Sequence, residues 1–178
     1  MKETIKYGLI LGLICFAASS VLAVVNEIAQ PKIKLQKEKD EGLALKEVMA
    51  QGSAFKPHYQ DEKIIYYTAY DGNNKLNGFV IKSLAKGYAS NIEALAGLNL
   101  DLEITNVKIL SQNETPGLGN RILEPSFLSQ FSQKTLDTFN RVQAITGATI
   151  SSGAVINSIK NKIAELKDQL SKEKNNAR

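Results

Sequence analysis

The chain has 178 residues, 43% apolar and 22% charged, with a net charge of +4 and a single cysteine, Cys15. That length suits one modest domain plus appendages, and one cysteine excludes a disulfide framework within a soluble part. The basic surplus lies near the two ends rather than on a compact arginine-rich face with interleaved aromatics, so nucleic-acid binding is excluded as a working class.

Residues 7–25 (YGLILGLICFAASSVLAVV) carry no charge, close to the roughly 20 residues a helix needs to cross a bilayer. Two readings fit. As a membrane anchor, the span has Lys2 and Lys6 before it to hold the N-terminus in the cytoplasm. As a secretory signal peptide, it offers Val21-Leu22-Ala23 as a cleavage site. The length favours the anchor. Ile14, before Cys15, is not small, which excludes a lipoprotein signal. Both readings put the remainder outside the cytoplasm. The expected division is 1–26 transmembrane anchor, 27–51 helical connector, 52–172 extracytoplasmic domain and 173–178 frayed tail.

The connector begins with a charged stretch, 26–39, broken by Pro31, and continues with Leu43, Leu45, Val48 and Met49 at helical spacing among Lys and Glu. Residues 52–61, with Pro57 and the lone His58, read as loop. A lone histidine there reads as a solvated side chain, and no second His or Cys stands near to complete a metal site.

Strand signals follow. Residues 64–70 are β-branched and aromatic, 71–74 (DGNN) form a turn, and 76–84 make the return strand of a hairpin. Residues 88–98 and 102–111 make two more strands joined at 99–101, with a phase slip near Asn106 that predicts a bulge. Consecutive short strands predict an antiparallel meander and an α+β fold with flanking helices. Gly87-Tyr88, where the third of these strands begins, reads as structural.

Residues 113–120 (NETPGLGN) mark a tight backbone excursion. The plain reading is a strand-to-helix loop. The functional one is a backbone that approaches a flat ligand, because glycine removes the blocking side chain, with Leu118 as an apolar surface for a ring. Residues 125–131 predict a short helix with Pro125 in its first turn. Residues 146–153 (TGATISSG) place four hydroxyls and two glycines before the last helix. An N-cap accounts for some of them. A phosphate held at the helix N-terminus is the alternative, and from the local chemistry alone the cap is the favoured reading. The final helix, predicted over 152–172, aligns Val155, Ile159, Ile163, Leu166 and Leu170 in one apolar stripe for core packing. The terminal KEKNNAR reads as frayed.

An N-terminal span, a strand-rich body carrying Glu114-Thr115-Pro116-Gly117-Leu118-Gly119, and Thr146-Gly147-Ala148-Thr149-Ile150-Ser151-Ser152 before a terminal helix occur in one order. That order resembles the FMN-binding domain shared by the G subunit of the Rnf electron-transport complex and the C subunit of the sodium-translocating NADH:quinone reductase. The short length is more similar to the Rnf protein. The resemblance implies FMN esterified through its phosphate to Thr149, the last threonine of the [ST]-G-A-T motif, by a separate flavin transferase that uses FAD. It further implies that Gly147 and Ala148 leave room for the transferase, that Ser151 and Ser152 add donors, and that Thr146 shapes the turn. The loop Glu114, Thr115, Gly117, Leu118, Gly119 is implied to border the isoalloxazine ring. The family pattern starts with an acidic residue three before the first hydroxyl, where this chain has Gln143.

The implied function is a membrane-anchored flavoprotein subunit that relays electrons in an ion-translocating ferredoxin/NAD oxidoreductase complex, with other membrane subunits as partners. The family's quinone-reductase branch and a scaffold of this fold without flavin stand as alternatives. The residues supply no general base or nucleophile for a diffusing substrate, so the chain is read as a redox subunit without catalytic residues of its own.

Overall fold

The computed structural model describes residues 2–61 and 63–176. The chain divides into two units, 1–40 and 41–178. Helix α1 (Lys2–Val48) fills the first and supplies the start of the second, with Pro31 inside it. The expected break at Pro31 does not occur. A proline costs one hydrogen bond and crowds the preceding turn, but Glu27, Ala29 and Gln30 before it and Lys32, Lys34, Leu35 and Gln36 after it are strong helix formers. Leu9, Phe16 and Leu22 are 71%, 73% and 68% exposed. Over residues 7–25 the helix is apolar on all sides, and it is long and apolar enough to cross a bilayer.

The second unit begins with the last turns of α1 and is built on a sheet of five strands in the order β1-β2-β3-β4-β5. The strands are β1 (Ala54–Gln60), β2 (Lys63–Tyr70), β3 (Leu76–Lys86), β4 (Asn91–Asn99) and β5 (Ile104–Ser111). Every neighbouring pair is antiparallel, giving the expected meander. The phase slip near Asn106 is a bulge: Ala96 faces Val107 while Leu98 faces Ile104, so β5 carries an extra residue there.

Strand β1 occupies residues expected to be loop. Its backbone pairs with β2 from Ala54↔Tyr70 to Gln60↔Lys63, and at the sheet edge Pro57 is tolerated because an edge residue has no second neighbour to bond. His58 is not a freely solvated side chain. It is half-buried, stacked on Tyr66 with ring centroids 4.3 Å apart and planes 8° from parallel, and its Nε2 lies 3.2 Å from Thr68 Oγ1. Burial lowers its pKa against the raising influence of Glu173.

Both sheet faces are covered. On one, Ala44, Leu45 and Val48 of α1 and the following Met49 pack with Tyr67, Ala69, Val80 and Leu95. At its rim Glu41 accepts from Tyr67 Oη at 2.5 Å and pairs with Lys82 at 2.9 Å, and Lys82 also reaches Glu93 at 3.0 Å. On the other face lies the larger core, where Phe79, Ile81, Ile92 and Leu98 meet helix α3 (Thr149–Asn176). The stripe Val155, Ile159, Ile163, Leu166 and Leu170 is buried throughout. Between β5 and α3 the chain makes short turns: a 3-10 segment (Gly119–Leu123), helix α2 (Pro125–Leu128), and further 3-10 segments at Ser129–Phe131 and Phe139–Arg141. Phe127, Phe131 and Phe139 pack edge to face there.

Helix α3 starts three residues earlier and continues further than its pattern suggests. Of the tail expected to fray, residues 173–176 are helical, with Lys174 Nζ 2.9 Å from Asp101 and Tyr66 Oη 3.5 Å from Glu173. Residues 177–178 of that tail lie outside the described residues.

Candidate functional site

The turn before α3 is made by Gly147, whose φ of +83° is the left-handed conformation glycine adopts without cost. Arg121 reaches the Thr146 carbonyl at 3.5 Å from outside. Ser152 Oγ accepts from the Ile145 amide at 2.9 Å and donates to the Ala148 carbonyl at 2.8 Å, pinning the turn to the first turn of the helix. The helix then opens with Thr149 as its first residue, exposed to solvent. No hydrogen bond engages the Thr149 hydroxyl among the described residues. The amides of Thr149, Ile150 and Ser151 have no preceding turn to bond and point out of the helix end.

Facing this end is the loop after β5. Glu114 is 5% exposed, yet its carboxylate accepts from the amides of Tyr88 (3.0 Å), Ala89 (3.1 Å) and Ser90 (2.9 Å), from Ser90 Oγ (3.2 Å) and from Ser151 Oγ (2.5 Å). Burial alone pushes the Glu114 carboxyl upward; the bonds from Ser151, Ser90, Tyr88 and Ala89 outweigh it and hold it below its ordinary value. Two glycines make room. A Cβ on Gly87 would stand 2.5 Å from Glu114 Oε1, and one on Gly119 would stand 2.8 Å from Glu114 Cβ and 2.9 Å from Ser151 Oγ. One carboxylate therefore binds three segments: the turn after β3, the loop after β5 and the start of α3.

Between them lies a pocket of about 510 Å³, within the range of small-ligand sites. Glu114, Thr115, Leu118 and Gly119 form one wall and Gly147, Ala148, Thr149 and Ser151 the other. These are eight of the eleven residues expected from the sequence. Thr146, Gly117 and Ser152 do not line it. Gly117 serves the loop with a φ of +76° and its amide on Asn120 Oδ1 at 2.8 Å, and Ser152 is buried within the turn it pins.

Ile150 lines the pocket without having been expected there, and so does Tyr88, which the sequence suggested was structural. Tyr88 precedes β4 rather than starting it, and is 71% exposed. With Leu118 at 52% and Ile150 at 60% exposed, the rim presents three large apolar side chains to solvent. The signal was the Gly-Tyr pair itself: Gly87 is required by Glu114 behind it, and Tyr88 follows into the mouth.

An open helix end with a free hydroxyl, beside an apolar rim, describes a site for a ligand with a phosphate at one end and a flat ring at the other. That chemistry agrees with the FMN-binding domain family, whose pattern matches residues 87–164, while the RnfG N-terminal region matches residues 1–48. The G subunit of an ion-translocating oxidoreductase complex from Methanosarcina acetivorans is 31% identical over 172 residues, covering 89% of this chain and 92% of that protein. The G subunit of a proton-translocating ferredoxin:NAD(+) oxidoreductase complex from Clostridium ljungdahlii is 29% identical, with 85% of each chain covered. The chain belongs to the family of G subunits of ion-translocating oxidoreductase complexes, and among the described residues its N-terminal helix is the one long and apolar enough to span a membrane. The crystal structure of NqrC from Shewanella oneidensis shares the fold, with a TM-score of 0.51 at 20% identity, covering 69% of this chain and 73% of that one.

Proposed function

We propose that this chain is a flavoprotein subunit of an ion-translocating ferredoxin/NAD oxidoreductase complex, carrying FMN on Thr149 and relaying electrons between neighbouring subunits. The observation that carries the reading is the position of Thr149. It is the first residue of α3, solvent-exposed, on the wall of the pocket and inside the segment that matches the FMN-binding domain.

The residues present fit the group. The amides at the start of α3 suit a phosphate, and Tyr88, Leu118 and Ile150 suit a flat apolar ring. When bound, FMN supplies the electron-carrying chemistry, and the protein supplies position and tuning. In the attachment step, Thr149 Oγ forms a bond to the flavin-side phosphorus of FAD as the pyrophosphate P–O bond breaks. AMP leaves, and the hydroxyl proton passes to a base on the flavin transferase. Gly147 and Ala148 carry no bulk to obstruct that enzyme. A covalent link suits a domain outside the cytoplasm, where lost flavin is not readily replaced. Lys2 and Lys6 support that orientation, with the N-terminus on the cytoplasmic side of the inner membrane. Other membrane subunits of the complex are the partners, and small residues of α1 such as Gly8, Gly12, Ala17 and Ala18 suit close helix contact.

Intact mass of the full chain, co-expressed with a flavin transferase, tests the reading. The expected gain is one FMN less one water, with flavin fluorescence that survives a denaturing gel and disappears in Thr149→Ala. An unmodified mass in the wild type, or a retained flavin band in Thr149→Ala, would sink it.

A further inference from the structure

Glu114 is the only charged residue among those lining the pocket. All of its hydrogen-bond partners among the described residues are neutral: three amides and two hydroxyls. Such donors keep a carboxylate ionised without cancelling its charge. Arg121, beside the Thr146–Gly147 turn, is already paired with Glu124 at 3.1 Å. The helix end contributes about half a positive charge, against the full negative charge that Ser151, in the first turn of that helix, holds at 2.5 Å.

A free phosphate monoester carries close to two negative charges at neutral pH, since its second pKa lies near ~6. A diester carries one. Repulsion from a fixed carboxylate scales with that charge, so the same pocket opposes the monoester about twice as strongly as the diester. We infer that Glu114 is a specificity-determining residue that sets this pocket against free phosphate monoesters and in favour of a phosphate already esterified to the protein. The inference rests on the flavin reading of the pocket. It assigns Glu114 two linked tasks, assembling the three segments and refusing soluble FMN, so that the site stays open to the transferase.

The test uses the full chain purified in detergent from cells without a flavin transferase. Wild type, Glu114→Gln and Ser151→Ala are titrated with FMN and with riboflavin, and binding is followed by flavin fluorescence. Both ligands share the ring, so a general loosening of the pocket moves them together and leaves their ratio unchanged. In wild type and Ser151→Ala, which keeps the charge, FMN binds no tighter than riboflavin. In Glu114→Gln the preference for FMN over riboflavin rises by about tenfold or more. A wild type that prefers FMN to riboflavin by about tenfold, or an unchanged ratio in folded Glu114→Gln, overturns the inference. The wild type alone gives a second reading: it binds the monomethyl ester of FMN, a diester, more tightly than FMN, and equal or weaker binding overturns the inference without any variant. Failure of the flavin reading itself shows elsewhere, as no mass gain at Thr149 with the transferase present.

Discussion

Ser151 Oγ donates to Glu114 Oε2 across 2.5 Å, and through that bond the first turn of α3 is fastened to a carboxylate that also holds the amides of residues 88–90. A hydrogen bond to a charged group contributes about 1.5–3 kcal/mol, and this one is buried. Ser151→Ala is expected to lower the stability of the full chain in detergent by about that amount, read from the urea midpoint. The bond also makes stability depend on pH. The folded Glu114 carboxyl sits below its ordinary value of 4.5, so its contribution is complete above 4.5 and is lost as the pH falls through the folded value. The loss of stability between pH 7 and pH 4 is therefore expected to be smaller in Glu114→Gln than in wild type. An equal loss in both would show that the carboxylate does not carry this dependence.

Three glycines separate close packing from idle flexibility. Gly87→Ala and Gly119→Ala each drive a Cβ against Glu114, at 2.5 Å and 2.8 Å respectively. Both are expected to destabilise the fold, by about 1–3 kcal/mol as for other overpacked sites, and to lower flavin incorporation by the transferase. Gly153 lies inside α3, where a Cβ meets nothing within 4 Å. Gly153→Ala is expected to raise stability by about 0.5–1 kcal/mol and to leave incorporation unchanged. Thermal unfolding of the three variants side by side checks the ordering.

What was legible in the sequence followed from composition and periodicity. β-Branched and aromatic content and the turn at 71–74 located β2 and β3, alternation located β5 with the bulge near Asn106, and the spacing of Val155 to Leu170 located the buried face of α3. Strand β1 was not legible, because Lys56, Pro57, His58 and Gln60 carry no alternating apolar signal and the strand is held by backbone pairing with β2. Nor was the continuity of α1, since the cost of Pro31 is local and the propensity around it is distributed. In the pocket, small residues and hydroxyls pointed to Thr149 and the loop after β5. The central part of Glu114 was hidden, because its partners are mostly backbone amides 24 to 26 residues away, and an amide leaves no mark on residue type. The lattice of Glu41, Tyr67, Lys82 and Glu93 was hidden in the same way, by distance along the chain.

Gln143 is exposed, and what it gives the fold is its backbone amide, which donates to Gln130 Oε1 at 2.9 Å. A side chain so placed is free to be read by another protein, and the resemblance drawn from the sequence implies a carboxylate at this position. Gln143→Asp keeps the amide and alters only the exposed group, so stability is expected to stay within about 0.5 kcal/mol of wild type. If a flavin transferase reads that carboxylate, the variant gains flavin faster than wild type under the same co-expression, measured as the fraction of modified mass at matched times. Equal fractions would mean that the transferase relies on the turn and Thr149 instead. A faster rate in Gln143→Asp would place position 143 in the recognition surface while leaving the pocket geometry to Glu114 and its glycines.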